Sequence, residues 1–138
     1  MKIAFVGCKE TKVSIFKELA KALSKRISGL ELSERFVPDV MDLPFVASEC
    51  TKESDFVFVF AFAESEEQAA YVRDKLIEVE LATETRILKA VTDDEMSGTD
   101  EDSYLEAKDA LVKKYADLIV NILFNESEFE SEDRDFSI

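Results

Sequence analysis

The chain has 138 residues, enough for one ordinary domain with a core of its own. Acids outnumber bases 31 to 17, giving a net charge of −14. A field of that sign repels phosphate backbones and anionic lipid surfaces, which argues against nucleic-acid and membrane partners.

The opening run KIAFVG (2–7) is short and apolar and ends at Gly7. It predicts a first buried strand. It turns polar at CKETK too soon for a signal peptide. The segment 11–28 follows, with Val13, Phe16, Leu19, Ala20, Leu23 and Ile27 at helical spacing. Lys12, Lys17, Lys21 and Lys25 lie elsewhere around the same helix, so one stripe is buried. Gly29 stands where a helix commonly stops. LELSERFV (30–37) alternates loosely before Pro38 and predicts an exposed edge strand.

Both prolines, Pro38 and Pro44, bracket the segment that comes next. PFVASECTKES then predicts a short helix with Pro44 in its first turn. DFVFVFAFA (55–63) is continuously apolar, with Phe56, Phe58, Phe60 and Phe62 on one face. A strand apolar on both faces must be covered on both, so it predicts a central strand of a parallel sheet. Residues 65–83 form a helix that Ser65 can cap, with Glu66 and Glu67 at its positive end. RILKAV (86–91) is a strand, 92–102 a polar loop and 103–124 a long helix.

Strands and helices alternate throughout. Right-handed crossovers then give an α/β, three-layer flavodoxin-like domain over 1–124, with helices on both faces of a four-stranded parallel sheet ordered 2-1-3-4. Ligands of such sheets bind at the carboxyl ends of the strands, near the reversal of strand order. The acidic tail 125–138 has the composition of a disordered segment. Its Phe129, Phe136 and Ile138 also suit it to an inter-subunit arm.

The chain has no histidine, which removes Ser/His and Cys/His catalysis and the commonest metal ligand. GCKETK lacks the glycines of a dinucleotide or P-loop site. Asp93, Asp94, Glu95, Asp100, Glu101 and Asp102 miss the EF-hand spacing, so no metal site is assigned there. Cys8 and Cys50 form no CxxC and point to a cytoplasmic chain with reduced thiols.

The segment RFVPDVMDLPFVA, followed by an apolar strand, a helix, ILKAVTDDE and a terminal helix, resembles the archaeal-type riboflavin synthases, relatives of lumazine synthase. Val37, Pro38, Asp42, Leu43 and Pro44 match that family's proline segment, and Asp39 stands at its glycine. The resemblance implies a pentamer that dismutates 6,7-dimethyl-8-ribityllumazine to riboflavin without a cofactor. It places Val40, Met41 and Asp42 along the ribityl chain. It brings Cys8 and Thr11, in the loop after strand one, to the ligand, together with Phe62 and Glu64 after strand three. Arg73 and Asp74 fall at the family's His-Glu pair, and Lys108 at its phosphate-binding base. Asp42 and Asp74 are then the catalytic candidates, with Glu64 a further proton carrier. The alternative is a catalytically inactive homologue that binds a flavin or lumazine or serves assembly.

Overall fold

The computed structural model describes residues 1–9, 14–93 and 101–136, with side chains in the last helix described for 104–124. Strand β1 is Lys2–Cys8, β2 is Glu31–Val37, β3 is Phe56–Phe62 and β4 is Arg86–Thr92. The helices are α1 (Phe16–Arg26), α2 (Leu43–Cys50), α3 (Glu66–Thr83) and α4 (Glu101–Phe136), and a 3₁₀ turn at Val40–Asp42 leads into α2. All strand pairs are parallel, and the sheet runs β2-β1-β3-β4. This is the flavodoxin-like α/β order that the alternating pattern predicts.

Two compact units make up the chain. The first comprises Met1–Ser14 and Gly29–Thr99; it holds the sheet, α2 and α3. Its core follows from the period of two along a strand. One face of the sheet presents small residues: Ala4, Val6 and Cys8 from β1, Val57, Val59 and Ala61 from β3, and Ile87 and Val91 from β4. Against them pack Leu43 and Ala47 of α2 and Ala69, Val72 and Leu76 of α3. Burying each Val or Leu side chain contributes about 1.5–3 kcal/mol.

The other face of the sheet carries the large residues Ile3, Phe5, Phe56 and Phe58, all buried. Phe5 and Phe58 are Cα partners across β1 and β3, and their rings meet edge-to-face at 5.8 Å. Phe60 meets Phe62 in the same manner at 5.4 Å. Edge-to-face geometry suits the ring quadrupole and adds to the area term. The alternating phenylalanines of β3 therefore do what their spacing predicts, and β3 lies inside the sheet, between β1 and β4.

The second unit comprises Ile15–Ser28 and Asp100–Ile138; within it α1 packs on α4. Arg26 bonds Asp117 at 2.7 Å, and Lys108 pairs with Glu18 at 3.0 Å. The Lys108 ammonium holds the Glu18 carboxyl below its ordinary range. Two boundaries differ from expectation. Helix α1 starts at Phe16, because Ser14 and Ile15 are not helical. Helix α4 runs on to Phe136 through a tail whose composition suggested disorder. No glycine or proline follows Gly98, so nothing in the backbone chemistry stops it.

The caps are local. Ser65 accepts a bond from the Gln68 N–H at 3.1 Å, and the Gln68 side chain accepts from the Glu64 N–H at 2.8 Å. That satisfies donors at the start of α3, as a capping residue should. Pro44 sits in the first turn of α2, where its missing N–H costs nothing. Gly29 takes φ +70 in the turn that leads into β2, a conformation other residues resist.

Candidate functional site

Strand order reverses between β1 and β3, so the carboxyl ends of these strands define the expected ligand edge. The end of β1 is tied to the end of β2. The Lys9 N–H donates to the Val37 carbonyl at 2.8 Å, and the Cys8 thiol faces the Pro38 carbonyl at 3.9 Å. The end of β3 is tied to β4 by Ala63 N–H to the Thr92 carbonyl at 2.7 Å. The proline segment thus starts at this carboxyl edge of the sheet.

Asp39 shapes that segment. Its carboxylate accepts from the Met41 N–H at 2.9 Å, and its carbonyl accepts from the Asp42 N–H at 2.9 Å. This side-chain turn caps the 3₁₀ helix. Asp39 therefore has a structural task of its own. An aspartate three residues before Asp42, just after a proline, is the sequence signal for it.

Beyond the cap, the segment divides. Val40 and Leu43 are buried in the core with Cys8. Met41 is 45% exposed, and Asp42 is exposed. Met41 lines a groove of about 490 Å³ between α2 and α3, together with Pro44, Phe45, Tyr71 and Lys75. Phe45 and Tyr71 are themselves largely exposed there.

After β3, Phe62 is half-buried and Glu64 exposed. Arg73 donates to the Val91 carbonyl at 2.6 Å and pairs with Glu66. It comes from α3 to the outer side of β4, and its neighbour Asp74 is exposed. Lys108 belongs to the second unit, where it is held by Glu18. Thr11 lies outside the described residues, as do 94–100 of the acidic loop. The structure therefore joins Cys8 to Pro38 and Arg73 to Glu66, and it divides Val40 from Met41 by burial.

A larger cavity, about 1100 Å³, lies at the opposite end of the sheet. Lys2 at the start of β1, Glu31, Ser33 and Arg35 of β2, and the 49–55 segment after α2 line it. Asp55 clamps this end: its carboxylate accepts from the Lys2 N–H, and its own N–H donates to the Lys2 carbonyl, each at 2.8 Å. Cys50 borders the cavity, and burial pushes its thiol pKa up. Both cysteines are buried thiols outside any disulfide.

Among the described residues no helix is long and apolar enough to cross a membrane. None of their His, Cys, Asp and Glu side chains gather in threes to hold a metal ion. Comparison with protein-family models and with curated proteins gives no match.

Proposed function

We propose that the chain is a cytoplasmic riboflavin synthase-like protein of flavin biosynthesis whose site grips the ribityl chain of 6,7-dimethyl-8-ribityllumazine. One observation carries this reading. A turn fixed by Asp39 holds Asp42 exposed on a segment that starts at the carboxyl end of β2. A carboxylate so placed can accept bonds from adjacent hydroxyls, and Pro38 and Pro44 pre-order its backbone. Met41, beside it, offers apolar surface to a ring system.

A second reading, binding without turnover, is favoured by the state of the other candidates. Cys8 and Val40 are packed into the core, and Arg73 is engaged by Glu66 and a backbone carbonyl. That leaves Asp42, Glu64 and Asp74 as proton carriers in a chain with no histidine. Incubating the full chain with 6,7-dimethyl-8-ribityllumazine and following riboflavin fluorescence separates the two. Turnover that Asp42→Ala lowers at least tenfold supports the first. Tight binding without turnover supports the second. Neither binding nor turnover, across several pH values and temperatures, removes both.

A further inference from the structure

The two edges of the sheet are finished differently, and the difference points to a partner. On β4, the Ala63 bond to the Thr92 carbonyl shows that even-numbered residues face β3. Ile87, Lys89 and Val91 therefore direct their backbone groups outward. Side chains meet three of these six groups. Glu80 accepts from the Ile87 N–H at 2.7 Å, Lys89 donates to the Ile87 carbonyl at 2.7 Å, and Arg73 donates to the Val91 carbonyl at 2.6 Å.

On β2, the Glu31 N–H donates to the Met1 carbonyl, and the Val37 carbonyl accepts from Lys9. Odd-numbered residues face β1, so Leu32 and Glu34 direct their backbone groups outward. Among the described residues, none bonds to those of Leu32 and Glu34. Glu31, Ser33, Glu34, Arg35 and Phe36 are all exposed. The 1100 Å³ cavity runs along Glu31, Ser33 and Arg35.

We propose that the β2 edge is completed by the β2 edge of a second copy, antiparallel about a two-fold axis through Ser33. Charge selects both partner and register. With Ser33 opposite Ser33, Glu31 faces the second copy's Arg35, and Arg35 faces its Glu31. On the other face, Leu30 lies opposite the exposed Phe36. Leu32 and Glu34 exchange backbone bonds, which are the outward groups left over on β2. Sliding the pairing so that Glu34 lies on the axis sets like charges opposite each other, which is unfavourable. Sliding it the other way, with Leu32 on the axis, sets Glu31 opposite Ser33 and forms no ion pair. A two-fold contact is closed, so the sheet extends to a dimer and stops there, in place of the pentamer that the resemblance implies. The within-chain pairs that hold these residues are loose and exposed: Lys2 to Glu31 at 3.9 Å and Arg35 to Glu49 at 3.6 Å. They exchange readily for a cross-strand pair.

Sedimentation equilibrium of the full chain, at a salt concentration where the Debye length is about 8 Å, tests the proposal. The expected species has twice the 15.6 kDa chain mass. Arg35→Glu should raise the dimer dissociation constant roughly tenfold, since it replaces two attractive pairs with two repulsive ones. Adding Glu31→Arg to that variant should restore it. Ser33→Cys provides an independent reading, because a non-hydrogen-bonded pair brings Cα atoms to about 4.5 Å, within disulfide range. Oxidation should link Ser33→Cys into dimers and leave Glu34→Cys unlinked. A monomer at every concentration overturns the proposal. So does a dimer, or a larger assembly, indifferent to Arg35→Glu, or one linked through Glu34→Cys rather than Ser33→Cys.

Discussion

Strands β2 and β4 are both edges of one sheet, yet they solve the edge problem in opposite ways. An edge strand exposes a row of unpaired backbone groups that invites pairing with another chain. On β4 the long side chains of α3 reach over and occupy two groups of that row, with Lys89 of β4 itself closing a third. On β2 the outward groups of Leu32 and Glu34 stay open among the described residues, beside charges whose order is self-complementary. A blocked edge protects the fold. An open edge with a charge register selects what can attach. Comparing them shows that the sheet's two margins are specified by different chemistry, one by side chains from a helix, the other by the strand's own sequence.

The strongest way to break this contrast is to unblock β4. Glu80→Ala strips the acceptor from the Ile87 N–H and the carboxylate from Lys89, whose contact is 3.0 Å. Both groups are three-quarters buried or more, so an orphaned donor is costly there. Urea unfolding should show a loss of about 1–3 kcal/mol, and the variant should become more prone to self-association. An unchanged unfolding midpoint would mean the plug is ornamental.

Arg73→Met keeps the stem and removes the guanidinium. It should cost about 1 kcal/mol by losing the Val91 carbonyl bond. It also tests the proposed ligand assignment: if Arg73 serves only the edge, any binding of the proposed lumazine ligand stays unchanged while stability falls. A drop in affinity larger than the stability change accounts for would assign it to the site.

The smallest effect lies beside β2. Burial raises the Cys50 thiol pKa, with Glu49 and Glu53 acting in the same direction and Arg35 opposing them. The folded state therefore favours the neutral thiol. Its contribution is full below the ordinary thiol value of about 8.5. It is lost as pH rises from there through the raised folded value. Unfolding curves between neutral and alkaline pH should fall less steeply for Cys50→Ala than for the native chain. Burial raises Tyr115 too, and its share persists in both proteins.

Much of the fold was legible because its signals are local. The phenylalanine run of β3, the polar alternation of β2, the Ser65 cap and Pro44 in a first turn each state their structure within a few residues. The reach of α4 to Phe136 was not, since acidic composition speaks for disorder while helix continuation needs only the absence of a stop. The site was legible in part. The proline bracket placed the segment at the carboxyl ends of the strands, where the structure has it, but its period could not tell that Val40 turns inward and Met41 outward. Asp39 looked like a lost glycine and is a cap. The plugs Arg73 and Glu80 were hidden, because they join α3 to β4 across space, and spacing within a helix does not reveal which strand its long side chains reach.

The Asp55 clamp on Lys2 has a kinetic meaning. The two interior strands, β1 and β3, are parallel partners, and the clamped residues Lys2 and Asp55 lie 53 positions apart. Between them the chain must make α1, β2 and α2. Loop-closure entropy has to be met before their phenylalanines can meet, so joining them costs more than joining strands nearer in sequence. A reciprocal pair of bonds at the start of both strands fixes their register at the moment of joining. It removes the one-residue slip that would turn the small-residue face and the phenylalanine face inside out.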